Sequence, residues 1–469
     1  MITDLESSNP WWRRPAGIQN DPQWKTFHRS RLQWRPALLD QMDLEQNAVH
    51  VLRGARQVGK STLVKLWIDR LLSQRTDPRC ILYFSCDLLS DNGELFTVME
   101  RYRAMTESLA APRRYMFLDE VTLVSEWQYA VKKYVDMFGL EGQTVLVTGS
   151  SAVDLRRGAE RMPGRRGEAV RTDWMLFPLS FREFVSHTDA LPQTGPTLPL
   201  RQVLEDPETL PQVRSRWEFV LTTLERALVQ YLSVGGFPLA VESFLQHRMV
   251  QEWVGKTYLA VIHSDIEKQR RSRVTLNDLL SRLLQTEGSP QSWQNLSRDL
   301  GGGSFHTVQE YAEILADSFL LCLIRQLDLH RAAPALRKQK KIYFADPLLR
   351  AAVCQEFHLI PPPLAIQVEA AVGMHLLRYF EQQPEEGWSS LQQLFYWRSA
   401  RGREVDFLVR QNGTRAFIPV EVKYQEHIHP ADGAPMLRSF GTGCLVTKKH
   451  FLQTDHLIGL PAAVFLLLE

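Results

Sequence analysis

Short apolar runs separated by stretches of helical spacing set the rhythm from about residue 40 to about residue 150. Val49–Leu52, Ile81–Ser85, Met116–Leu118 and Thr144–Thr148 predict buried strands, and Glu126–Phe138 predicts a helix. This alternation predicts an α/β fold with a parallel sheet covered on both faces. Ahead of it, Trp11, Trp12, Trp24 and Trp34 lie among arginines, which predicts an irregular arm packing its aromatics on the following domain. His187 to Gln212 carries five prolines and little periodicity, the pattern of a domain-joining loop.

From Arg216 to Gln326 the pattern is mostly helical. It includes a helix–turn–helix-like run: Ser292–Leu300, the turn Gly301–Ser304, then His306–Ser318. Two extended segments, Leu320–Leu327 and Lys341–Phe344, flank a tip with Arg331, Arg337, Lys338 and Lys340. That order of elements resembles a winged helix. From Glu369 onward the pattern reads helix, three strands, helix, strand, and the last apolar run, Leu460–Leu468, reads as a strand. The expected organisation is an arm (1–40), a nucleotide domain (41–186), a linker (187–214), a helical lid (215–275), a winged-helix-like region (276–350) and a C-terminal α/β domain (360–469).

Composition narrows the class only a little. The 44% hydrophobic and 23% charged residues are those of an ordinary globular chain. With 55 basic against 53 acidic residues, no global field advertises a nucleic-acid partner, so one must be argued from local patches. Cys80, Cys86, Cys322, Cys354 and Cys444 are scattered without a C-x-x-C pair, which speaks against structural zinc and for reduced thiols. No signal-peptide pattern and no apolar run near 18 residues is evident, so a cytoplasmic protein without a membrane span is expected.

The chemistry is concentrated in Gly54-Ala55-Arg56-Gln57-Val58-Gly59-Lys60-Ser61, with Thr62 following into a helix. Strand, glycine loop and helix in this order form a phosphate cradle. Loop N–H groups and the positive helix end face the β- and γ-phosphates of ATP, Lys60 adds charge, and the Ser61 hydroxyl holds Mg²⁺. A chance glycine turn is the bland alternative. Tyr115–Leu118 then ends in Asp119-Glu120, placing one carboxylate for Mg²⁺ and one to take a proton from the attacking water. Thr148-Gly149-Ser150-Ser151 ends the next strand; polar side chains there, Ser150 among them, either sense the γ-phosphate or orient the water, or the run merely turns the chain. Arg165, on an arginine-rich loop, reads as a residue contributed to a neighbouring subunit or as a solvated base. Asp87, after the second strand, is a weaker candidate for the same crevice.

These runs resemble the AAA+-type ATPases that pair an AAA_14-like module with a DUF4143 C-terminal region. The matching residues also include Phe177–Phe184, Tyr231–Pro238, Asp265-Ile266 and Lys341–Asp346. The resemblance implies ATP hydrolysis under a helical lid, with the turn Gly235-Gly236-Phe237-Pro238 beside the adenine. Taken alone, that run shows only a tight turn between helices.

Glu404-Val-Asp406 and Glu421-Val-Lys423 form a second constellation. Glu421 and Lys423 share one strand face, and the turn at Arg410–Thr414 brings Asp406 alongside. Two carboxylates with a lysine, and Glu369 as a third oxygen ligand, suit Mg²⁺-assisted phosphodiester chemistry. The pattern and element order resemble the PD-(D/E)xK nucleases, with Asp406, Glu421 and Lys423 on the motif positions; domains of this kind also persist as non-cleaving modules. The acidic Glu310, Glu313 and Asp317 disfavour DNA on the helix from His306. The basic tip Arg331–Lys341 and the patch Lys268, Arg270, Arg271 and Arg273 are the better contacts. The expected function is a homo-oligomeric ATPase that binds or processes DNA. The alternative is a nucleotide-gated protein-interaction switch with an inactive nuclease-like domain.

Overall fold

The computed structural model describes residues 5–109, 113–149, 152–188, 197–300, 304–382, 390–411 and 414–469. They divide into two compact units, 1–177 and 178–469.

In the first unit, Ala48–Arg53 (β1), Ile81–Ser85 (β2), Arg114–Asp119 (β3), Gln143–Thr148 (β4) and Asp173–Met175 (β5) form one sheet of order β2-β3-β4-β1-β5. Every pairing is parallel. Burial on both faces explains why these strands read as continuous apolar runs. Val49, Val51, Leu82, Met116, Leu118, Val145 and Val147 pack with Trp127, Val131 and Tyr134 in one core. Each such side chain contributes about 1.5–3 kcal/mol on burial. The arm is more regular than expected, with helices at Leu5–Ser8, Pro22–Arg29 and Leu38–Gln41. It does dock its aromatics: the indoles of Trp11 and Trp12 both donate to Ile81 O, at 3.0 and 2.7 Å.

The second unit holds a nine-stranded sheet. Its strands are Leu321–Asp328 (β6), Ala333–Pro334 (β7), Lys340–Phe344 (β8), Leu394–Arg398 (β9), Glu404–Arg410 (β10), Phe417–Lys423 (β11), Gly443–Thr447 (β12), Leu452–Gln453 (β13) and Leu457–Pro461 (β14). The path runs β13-β14-β12-β11-β10-β9-β6-β7, with β8 paired on β6. Within it, the helix Leu364–Gln382, β9, β10, β11, the helix Ala434–Phe440 and β12 follow one another in sequence, with β9-β10-β11 antiparallel and β11-β12 parallel. Helices Arg273–Gln285, Trp293–Asp299 and Phe305–Asp317 precede the antiparallel β6/β8 pair. That pair is joined through β6 to β9, so it forms one end of the large sheet rather than a free wing.

Two expectations are corrected here. Leu460–Leu468 is strand only to Pro461 and then turns into the short helix Ala462–Phe465. The proline-bearing stretch contains helices Leu200–Glu205 and Leu210–Trp217, because Pro211 sits in a first turn where its missing N–H costs nothing. No single helix among the described residues is long and apolar enough to cross a membrane; one bent pair, 207–234 with 238–247, passes by length and composition alone.

Candidate functional site

The glycine loop links β1 to the helix Lys60–Ser73. Gly59, at the helix N-cap, takes φ 104° and has no side chain with which to cap the first-turn N–H groups. An uncapped N-terminus of a 14-residue helix is an anion site by dipole and donor geometry. Lys60 is buried, its ammonium donating to Gly54 O at 2.9 Å and Ala55 O at 3.0 Å. Arg56, Gln57 and Val58 complete the loop, Gln57 with φ 58°. Ser61 and Thr62 lie half-buried on the first helical turn.

β4 lies between β1 and β3, in register Leu52 with Thr148 and Leu118 with Val147. The ends of β1 and β3 therefore open on one edge of the sheet with the end of β4 between them. Asp119 is buried there and accepts three hydrogen bonds: from Thr148 Oγ1 (2.8 Å) and Glu120 N (3.1 Å) on Oδ1, and from Tyr83 OH (3.0 Å) on Oδ2. Glu120 follows at φ 57°, in the left-handed region that carries strain for a side chain of this size. A hydroxyl from Ser61 and an oxygen of Asp119 make a donor set that suits Mg²⁺.

Sequence reasoning missed Tyr83 and did not single out Thr148. Behind Tyr83, the Lys65 ammonium lies 3.1 Å from the ring centroid and 3.0 Å from Asp21 Oδ2. Burial pulls the Lys65 ammonium below its usual range, against the pull of Asp21. Asp21 also caps the helix Pro22–Arg29 through Gln23 N and Trp24 N. The arm thus reaches Asp119 through an unbroken chain of contacts.

Ser150 lies outside the described residues. Arg165 is paired with Asp136 Oδ1 at 2.6 Å within its own unit. Asp87 is exposed on the 3-10 turn after β2. Pro238 opens the helix Pro238–His247 of the second unit. The turn before it is pinned within that unit: Gly236 N donates to Asp346 Oδ2 (2.9 Å) and Leu179 N to Gly236 O (2.7 Å). A Cβ at Gly236 would stand 2.1 Å from Leu179 O, so that position requires glycine. Burial pushes the Asp346 carboxyl up to about 6, against the opposing N–H groups of Gly236 and Leu348.

The C-terminal constellation converges, but with one residue more than expected. Asp406 sits on β10 where its register against β9 shifts, and Glu421 and Lys423 sit on β11. Asp406 N donates to Glu421 Oε2 (3.2 Å), Val422 N to Asp406 Oδ2 (3.0 Å), and Lys423 Nζ to Glu421 Oε1 (2.7 Å). Lys341 of β8, 1% exposed, reaches into the carboxylates from outside this hairpin. Its ammonium lies 2.7 Å from Asp406 Oδ1, 2.9 Å from Glu369 Oε1 and 2.9 Å from Glu404 Oε1. Tyr343, two residues on and on the same strand face, donates to Glu369 Oε1 at 2.6 Å. Burial alone would lower the Lys341 ammonium; Asp406, Tyr343, Glu369 and Glu404 overcome that and hold it well above its usual range. Burial pushes the carboxyls of Glu369 and Glu421 up, with Asp406 adding to both.

The expected Mg²⁺ ligation by Glu369, Asp406 and Glu421 does not fit this arrangement. Two of the three carboxylates face Lys341 and the third faces Lys423, and no cluster able to hold a metal is found among the described residues. The basic tip is corrected as well. Lys340 and Lys341 are buried, Lys340 over the Trp293 ring at 4.1 Å, which leaves Arg331, Arg337 and Lys338 exposed. Arg271 of the other patch is paired with Glu310 at 2.7 Å.

Comparison with known proteins agrees with the first unit. Residues 46–185 match the AAA_14 model, an AAA domain. Residues 225–358 and 367–456 match two domains of unknown function, DUF8612 and DUF4143. An uncharacterised protein of Haemophilus influenzae is 23% identical over 428 residues, spanning 87% of this chain and 90% of that protein. Among solved structures, the Walker-type ATPase paby2304 of Pyrococcus abyssi is 13% identical with a TM-score of 0.40, covering 65% of this chain and 90% of that one. The Aeropyrum pernix ORC1 protein in complex with DNA is 12% identical with a TM-score of 0.29, covering 74% and 96%. The AAA-domain match falls on the part of the first unit that carries the glycine loop and the parallel sheet, and both fit a P-loop nucleotide-binding domain.

Proposed function

We propose that this protein hydrolyses Mg-ATP at the β1–β3 edge and uses its nucleotide state to gate docking by a nuclease-like second unit that does not cut. One observation supports the catalytic half most: Thr148, at the end of the intervening strand, hydrogen-bonds Asp119, tying the ends of β3 and β4 beside the glycine loop. In this reading the N–H groups of Gly54–Ser61 and the first turn through Thr62 bind the phosphates. Lys60 exchanges its two carbonyl partners for phosphate oxygens. Ser61 and Asp119 hold Mg²⁺, which screens phosphate charge when bound. Asp119 is aimed by the hydroxyls of Tyr83 and Thr148, and Glu120 takes the proton of the attacking water. Ser150 as γ-phosphate sensor, Pro238 beside the adenine and Arg165 acting on a second copy extend the same reading.

A second reading, that the docked partner is DNA, is favoured by the exposed Arg331, Arg337 and Lys338 on the β6–β8 connection. Calorimetry tests both. Wild type should bind Mg-ATP and Lys60→Ala should not; equal affinity would remove the loop from the account. Duplex binding should strengthen as salt falls, and Arg337→Glu with Lys338→Glu should weaken it and flatten that salt dependence. Binding unchanged by the charge reversal would leave only a protein partner.

A further inference from the structure

We infer that Lys341 is a built-in cation: its ammonium stands permanently where the nuclease-like carboxylates would otherwise gather a divalent metal. A lysine ammonium has three N–H donors, and here three carboxylate oxygens, from Asp406, Glu369 and Glu404, lie within 2.7–2.9 Å of it. Those are ion-pair separations; coordination of Mg²⁺ at the same point needs oxygens at about 2.0–2.1 Å and the ammonium gone. The remaining contacts close the centre further. Glu421 is held by Lys423 and by Asp406 N, and Asp406 Oδ2 is taken by Val422 N. The lysine is delivered by β8, a strand outside the helix–strand run that brings the carboxylates together, and Tyr343 on the same face anchors Glu369 beside it.

A buried ammonium among carboxylates is costly to strip of water, and removing it would leave several buried negative charges uncompensated. Lys341 therefore joins the β6/β8 pair to the β9–β11 core and at the same time excludes metal. The second unit is then a binding module in its native state, with a cation site that opens only when the lysine is lost.

The experiment is Mn²⁺ titration of the full-length, nucleotide-free protein, followed by electron paramagnetic resonance. Wild type should take up no Mn²⁺ that is sensitive to Asp406→Asn. Lys341→Ala should gain one Mn²⁺ per chain, with a Mn²⁺-dependent rise in melting temperature that Asp406→Asn in the same chain removes. Uptake by wild type that Asp406→Asn abolishes overturns the inference, as does a folded Lys341→Ala chain that binds none. Should Lys341→Ala fail to fold, the wild-type and Asp406→Asn titrations decide between the two outcomes alone.

Discussion

Tyr83 carries the most information at the scale of single residues, because it joins the arm to the nucleotide site. Its hydroxyl supplies one of three hydrogen bonds to Asp119, and its ring supports Lys65. Tyr83→Phe keeps the ring and the packing but frees one carboxylate oxygen of the proposed Mg²⁺ ligand. A hydrogen bond to a charged group is worth about 1.5–3 kcal/mol. We therefore expect kcat/KM for Mg-ATP to fall about tenfold or more, together with a modest fall in melting temperature. Steady-state rates at several Mg²⁺ concentrations check this; unaltered kinetics would reduce Tyr83 to a core aromatic. Gly54–Ser61 and Asp119-Glu120 were legible because each packs its chemistry into one contiguous run. Tyr83 and Lys341 were not, since each reaches its partner from a separate strand. Lys341 was taken for part of a basic tip because counting charges ignores strand alternation, which puts Lys341 and Tyr343 together on the inward face.

The arm is a structural element with an electrostatic task. Asp21 caps the helix Pro22–Arg29 with one oxygen and neutralises the buried Lys65 with the other. Removing one partner of a buried pair costs about 3–5 kcal/mol, because the other charge is left behind. Asp21→Ala should destabilise the first unit by that order, and Asp21→Asn should lose the charge while keeping an oxygen able to cap. Chemical unfolding compares them; equal stability of Asp21→Ala and wild type would make the arm dispensable. The parallel sheet could be read from its apolar runs, and the C-terminal helix–strand succession likewise. What could not be read were helix starts hidden by prolines at residues 207 and 211, and the pairing of β6 with β9. Proline marks a break in local pattern whether a loop or a helix begins there, and strand partners far apart in sequence leave no local trace.

At the scale of the whole molecule, the two units differ in how their charges are satisfied. The first keeps a helix N-terminus without a side-chain cap and a strained acid at the end of its central strands, the features of a site made to meet a ligand. The second has paired its carboxylates internally with Lys341 and Lys423. On the proposed reading, turnover belongs to the first unit and binding to the second. The most direct measurement is ATP binding and hydrolysis by Glu120→Gln beside wild type. The account predicts retained Mg-ATP affinity with hydrolysis slowed by roughly 10²–10⁴-fold. Turnover by Glu120→Gln equal to wild type, or a wild type that binds no ATP with Mg²⁺ present, would contradict it.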